Sequence, residues 1–511
     1  MSKRIARWFF RAAFAGCMIT FQLHAQAPLG LFEGQSDVGS VSPPGTSTFD
    51  ASHGMYTLSA AGANLWSTVD GFHFLWKKVS GDVALTADIR FPDTTGNPSP
   101  HRKAVLMFRQ TLESGGVYAD AAQHGSGMTA LQYRRGDGAT TQDIELNIDS
   151  PRRLRIEKRG DVFTMFLSMG AEPLHQVGAS IKLHLDGPFY AGLGVCSHNK
   201  NVVEKAVFSN VELTKLDPVA DTTKSALYST LQTIGIEDNF RRAIVVLSER
   251  GLAEAPNWTR DGNALIFNRD GRIWKIPTSG GTAEAIDIGA ATHCGGSHGL
   301  SPDGKWLAIS CTMPDSPETR VYILPSGGGA PRMVTANPLS WWHSWAPDGK
   351  TILFSRPGKG SLNVYSISVD GGPETALTKG DGISDDPDYS PDGKYIYFNS
   401  DRSGSMQIWR MQPDGSNPEQ MTSDEMVNWT PHPSPDGKSV VFESYEKGTT
   451  GHPANKDIAL RILTPADKKV RTLVNLVGGS GSMNVPSWAP DGAHLAFVSY
   501  QILPQESADS N

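Results

Sequence analysis

One short phrase returns six times in this chain: TRDGNALIFN at 259, SPDGKWLAIS at 301, APDGKTILFS at 346, SPDGKYIYFN at 390, SPDGKSVVFE at 434 and APDGAHLAFV at 489. Aligned on Asp261, Asp303, Asp348, Asp392, Asp436 and Asp491, the copies are spaced by 42, 45, 44, 44 and 55 residues. A period of about 40 to 45 residues with one hairpin per unit is that of a β-propeller. In each unit an inner strand arrives, the Asp-Gly turn reverses it, and an alternating apolar strand leaves. Segments such as IWKIPTSGGTAEAI and VYSISVDGGPETAL then supply two outer strands. Six turns predict six blades. The last unit stops near 499–503 without an outer hairpin, whereas RAIVVLSE at 242–249 is an orphan strand before the first turn. Joining the two closes the ring by mixing strands from both chain ends and leaves no open edge.

With 53 Gly and 33 Pro in 511 residues, the remainder also favours turns and strands over helices. Residues 28–215 carry no copy of the repeat but hold eight alternating segments, among them VALTADIRF, AVLMFRQ, RRLRIEKRGDVFTMFLSMG and FYAGLGVCSH. That spacing predicts a β-sandwich. The chain is therefore expected to be all-β: a jelly-roll-like β-sandwich at 28–215, a linker at 216–233, a six-bladed propeller at 234–503 and a tail at 504–511.

Residues 1–27 open with Lys3, Arg4 and Arg7, run through an apolar stretch and close on Ala25-Gln26-Ala27, the pattern of a secretory signal peptide cut after Ala27 or Ala25. Phe14-Ala15-Gly16-Cys17 offers a lipoprotein box as the alternative. Export predicts a periplasmic or secreted protein. No other apolar run reaches spanning length, so no transmembrane segment is expected after cleavage. The formal charge of −7, near −11 once the signal is removed, and the lack of a basic tract exclude nucleic acid as a partner.

The repeat units resemble the propeller repeats of the TolB-like family, a WD40-like group marked by PD40 repeats, over a little more than half the chain. The same repeat occurs in oligogalacturonate lyases, so the resemblance implies the fold more strongly than an activity. The order of the N-terminal segments, and RRLRIEKRGDVFTMFLS in particular, resembles concanavalin-like and laminin-G-like jelly rolls of secreted carbohydrate-active proteins.

Turn register locates further features. Opposing residues of the hairpin centred on Asp303-Gly304 have numbers near those of Cys294 and Cys311, which predicts a disulfide in an exported protein. Cys196 is expected to be an inert buried thiol. Five residues before the turn Asp, four units carry Pro, but the second and third carry His298 and His343. Equivalent positions on adjacent inner strands predict that these imidazoles converge and hold a divalent metal such as Zn or Mn, with His432 joining them as a catalytic candidate. Asp385, Asp386, Asn428, Trp341, Trp342 and Trp429 are expected to bind ligand around them, the indoles by stacking on sugar rings. Trp258, Trp345 and Trp488, three before the turn, are expected to pack between blades. In the sandwich, Trp66, Phe72, His73, Phe74 and Trp76 cluster within eleven residues, where an exposed member can serve as a carbohydrate platform.

Two functions fit. One is a non-catalytic envelope protein binding a glycan or a protein at the propeller funnel. The other, implied by the resemblance to oligogalacturonate lyases, is a metal-assisted enzyme acting on an oligosaccharide through a His cluster. P-loop, EF-hand, H-E-x-x-H and dinucleotide fingerprints are absent.

Overall fold

A computed structural model describes residues 29–92, 98–217, 225–237, 242–358, 360–380 and 382–504. Among them every regular element is a strand, and no helix is long and apolar enough to cross a membrane. The expected signal peptide lies outside the described residues.

The repeated phrase owes its form to a local hydrogen-bond cycle. In the second unit the Ser301 hydroxyl donates to Asp303 Oδ1 at 2.6 Å, that oxygen accepts from the Lys305 amide, and Ser301 Oγ accepts the Trp306 amide at 3.0 Å. Gly304 supplies the φ of +71° that closes the turn. Ser390 with Asp392 and Ser434 with Asp436 repeat the cycle. In the third and sixth units Ala346 and Ala489 replace the Ser, and there the turn Asp still accepts from the backbone amide two residues on.

Five four-stranded antiparallel sheets follow, with inner strands Ala253–Trp258, Thr292–Leu300, Trp341–Trp345, Ser384–Tyr389 and Val427–Pro433. These are called blades one to five. Apolar side chains seal neighbouring blades together: Trp342, Trp345 and Phe354 of blade three, for example, share a cluster with Val321 and Ile323 of blade two. Trp345 Nε1 donates to Gly299 O at 3.0 Å and Trp488 Nε1 to His432 O at 2.8 Å, so these indoles bridge units.

At the sixth turn no separate four-stranded sheet forms among the described residues; strands from both chain ends meet there, with one more strand between them than expected. The outgoing strand, His494–Pro504, pairs with Ser225–Gly235, which pairs in turn with Arg242–Arg250. This corrects the linker at 216–233, since Ser225–Gly235 is a strand enclosed on both edges. Its polar letters hid it: Ser229, Thr230, Gln232 and Thr233 are all buried, with Gln232 Nε2 donating to Ser499 Oγ at 2.7 Å and Ser229 Oγ donating to Gly251 O at 2.7 Å.

Arg242–Arg250 also pairs in parallel with Gln142–Glu145 and so continues into the N-terminal part, giving one ten-stranded sheet. A seven-stranded sheet, from His175–Lys182 at one edge to Thr46–Asp50 at the other, faces it. Leu106, Phe108 and Leu131 from the first sheet meet Leu85, Ile156 and Phe163 from the second in one buried core. Burying each such side chain contributes about 2 kcal/mol.

Candidate functional site

Each inner strand is irregular just before its turn. The register slips between Glu254 and Asn257, Cys294 and His298, Trp342 and Ser344, Asp385 and Asp388, and Trp429 and His432. A bulge bends a strand and turns one side chain out of its regular direction. In blades one, four and five the residue so placed is Ala255, Asp386 or Thr430, each with φ near +50° and each followed by Pro.

The two expected histidines meet this irregularity differently. In blade two the extra residues are Gly295, Gly296 and Ser297, so His298 stays in register opposite Ile309 and is completely buried. In blade three His343 itself is the extra residue, between Trp342 opposite Phe354 and Ser344 opposite Leu353. His343 accordingly meets blade four, not His298. Its Nε2 lies 3.3 Å from Asp385 Oδ1 and its Nδ1 3.4 Å from Asp386 Oδ1. One ligand atom from each of the three residues falls within 4.8 Å of the others.

The surroundings concentrate negative charge. Burial opposes ionisation of Asp385, yet the His343 imidazole beside it outweighs that and holds its carboxyl below the ordinary value. Asp386 is raised well above it by burial and then by the charges of Asp385 and Glu443. Glu443, on the second strand of blade five, is pushed up to about 8 by burial and accepts a hydrogen bond from Tyr445 Oη at 3.3 Å. Asp386 Oδ2, Glu443 Oε1 and Thr430 Oγ1 are buried without a hydrogen-bond partner. Three buried carboxyl groups close to one buried imidazole form a setting that a cation satisfies.

The other expected site residues are distributed as follows. His432 Nδ1 lies 3.1 Å from Asp388 Oδ2 and its Nε2 lies 3.1 Å from Met483 O, an inter-blade link. Asn428 is wholly buried, donating to Gln407, Thr422 and Asp424 and accepting from Ser444. Trp342 is core, Trp341 is half-buried opposite Ser355, and Trp429 packs against His452 with ring centroids 4.6 Å apart. Cys294 and Cys311 stand directly opposite each other and are joined by a disulfide, and Cys196 is a free buried thiol.

His452 was missed by the sequence reasoning. It lies on the connection after the second strand of blade five, outside the repeat, where no register argument reaches it. Burial lowers its affinity for a proton, and it feels the charges of both Asp385 and His343. A second omission is the spacing Gly295-Gly296-Ser297-His298-Gly299, which reads G-x-S-x-G. A nucleophile elbow needs that spacing at a strand-to-helix turn, and here it is the bulge of an inner strand.

Residues 300–501 match the family PD40, TolB β-propeller domain. An uncharacterized protein of Agrobacterium fabrum, Atu1656, is 44% identical over 261 residues, covering 51% of this chain and 89% of that protein. The chain belongs to the TolB-like β-propeller family. A solved structure of a TolB candidate from Agrobacterium tumefaciens is 42% identical and covers 54% of this chain and 99% of that one, with a TM-score of 0.52. The Tol-Pal system protein TolB of Francisella tularensis is 26% identical over 161 residues, which are 31% of this chain and 37% of that protein. The family match thus bears on the propeller, and the match to this Tol-Pal TolB spans little more than a third of that protein.

Proposed function

We propose that this chain is an exported TolB-like propeller protein of the cell envelope, periplasmic or secreted, that binds a glycan or protein ligand at the propeller funnel. In this reading the propeller has six blades, the sixth being the trio of Ser225–Gly235, Arg242–Arg250 and His494–Pro504. The N-terminal pair of sheets is a concanavalin-like or laminin-G-like sandwich.

The observation that supports a site at this place is the meeting of His343 with Asp385 and Asp386 beside the unpartnered Asp386 Oδ2. One imidazole and two carboxylates suit Zn or Mn, and a cation there offsets the charge that burial otherwise penalises. His343, Asp385 and Asp386 would hold the ion, leaving a further coordination position for an oxygen of the ligand. The ligand set therefore moves from the expected His298 and His343 to one histidine and the two acids of the next blade.

A second reading, a metal-assisted enzyme on an oligosaccharide, draws on the same cluster. It is favoured by the half-buried His452, whose affinity for a proton is lowered by burial and which lies close enough to Asp385 and His343 to feel their charges.

Metal analysis of the full chain tests the site. About one divalent ion per chain is expected in the wild type and in His298→Ala, and none in His343→Ala/Asp385→Asn. No ion in any of the three, after Mn and Zn have been supplied, would sink the metal site. Turnover of an oligosaccharide that disappears in His452→Ala, with the metal retained, would decide for the enzyme.

A further inference from the structure

The seven-stranded sheet turns one face to the core and the other outward. Leu154 and Ile156 of the strand Arg153–Arg159, and Phe163, Met165 and Leu167 of Val162–Ser168, point into the core. The alternating residues Glu157, Arg159, Val162, Thr164 and Phe166 therefore lie on the outward face. At one end this face meets the strands Ser225–Gly235 and His494–Pro504. Gln176 Nε2 donates to Gln501 Oε1 at 2.8 Å, and the Thr230 hydroxyl donates to Gly178 O at 3.1 Å. Tyr228 stands opposite Gln501 on one side and Arg250 on the other, and Ala226 stands opposite Leu503 in the next row. Beyond the bonds at Gln176 and Gly178 an open cleft of about 570 Å³ remains between the two surfaces.

Its walls combine apolar and positive groups. Val162 and Phe166 line one side, and Ala226, Tyr228 and Leu503 line the other, with the 57% exposed Ile502 at the mouth. Phe166 and Tyr228 are both half-buried. Glu157 is buried and already engaged, pairing with Arg155 and accepting from Arg159 Nε at 3.3 Å. Arg159 is further held by the Asp217 carbonyl at 3.1 Å. Arg250, exposed, has no ion pair among the described residues. Three guanidiniums thus stand against one carboxylate here, in a chain whose formal charge is −7.

We propose that this cleft binds a monocarboxylate with an apolar body. A guanidinium fork matches the two oxygens of a carboxylate, and Arg250 is the one fork at the cleft left without a partner. A single free positive group suits a single negative charge; a phosphate would bring a second charge, which Arg159 is not free to meet. The facing apolar walls exclude water from the rest of the ligand, and the volume lies within the range of clefts that enclose small organic molecules. The site lies outside the funnel and does not depend on the function proposed there.

The test is calorimetric titration of the full chain with octanoate, 3-phenylpropanoate, octan-1-ol, acetate and inorganic phosphate. At least one of the two larger carboxylates is expected to bind at one site per chain, and the tighter of them identifies the body as aliphatic or aromatic. Octan-1-ol, which lacks the charge, and acetate, which lacks the body, should each bind about tenfold more weakly or worse. Arg250→Gln, a change at an exposed position, should weaken the carboxylate about tenfold and leave octan-1-ol as it was. Tyr228→Ala should weaken both. His343→Ala should bind as the wild type does, which keeps the outcome separate from that of the funnel. No saturable binding of either larger carboxylate, octan-1-ol as tight as octanoate, an affinity unchanged in Arg250→Gln, or binding lost in His343→Ala would overturn the proposal. So would inorganic phosphate binding as tightly as either carboxylate, since the cleft would then read charge alone.

Discussion

Blades two and three place a histidine at the same distance before the same turn, and the two imidazoles end in different chemistry. His298 keeps its register opposite Ile309 because Gly295, Gly296 and Ser297 take up the slack upstream. His343 has no such run before it and becomes the bulged residue. The first is sealed in the blade, where burial pushes it down to about 4; the second reaches Asp385 and Asp386 on the next blade. In a repeat protein the residue type at a position is thus worth less than where the bulge falls. Blade two also carries the disulfide, joining its first two strands beside its own bulge.

The largest effect expected in this comparison comes from that bond. Cys294→Ser/Cys311→Ser opens a loop spanning 17 residues and should cost about 3 kcal/mol in chemical denaturation. Metal content at His343 should stay as in the wild type. If the ion is lost along with the disulfide, blades two and three do not act separately and the contrast fails. Next in size is Gly299→Ala. A Cβ on Gly299 would stand 2.2 Å from Cη2 of Trp342, a fully buried ring that cannot swing aside. Overpacking of this kind costs about 1–3 kcal/mol. An unchanged unfolding midpoint for Gly299→Ala would mean that blade three does not depend on blade two yielding space to its indole.

Much of this was legible in the sequence. The repeat gave the turn positions, the arrangement of strands around each turn and the facing of Cys294 with Cys311, because a two-residue turn fixes the numbering of its hairpin. It could not give the bulges, which depend on whether Gly295 and Gly296 or His343 absorbs one residue, and so it paired His298 with His343. Asn428 was read as ligand-binding and His432 as catalytic because the partners that occupy them, Gln407 in blade four and Met483 in the last unit, lie far along the chain. The strand Ser225–Gly235 was unreadable for another reason. Ser229, Thr230, Gln232 and Thr233 are buried among Leu231 and Ile234 and bond to one another and to the neighbouring strands, so no hydrophobic alternation marks the strand.

The smallest effect separates the two histidines by pH. His298 has its affinity for a proton lowered by burial from 6.5 to about 4, so in the folded protein it stays neutral while the unfolded chain takes up a proton below 6.5. Its contribution is complete above that value and is lost as pH falls through the window down to about 4. Between about pH 7 and about pH 5.5 the loss amounts to about 1 kcal/mol. His298→Leu has no proton to bind in either state. The difference between wild type and variant in urea unfolding should therefore shrink or reverse by that amount as the solution is acidified, while the slopes due to all other groups cancel. A difference that stays constant would mean that the unfolded and folded chains hold His298 alike, and that blade two does not keep its imidazole from solvent as its register opposite Ile309 requires.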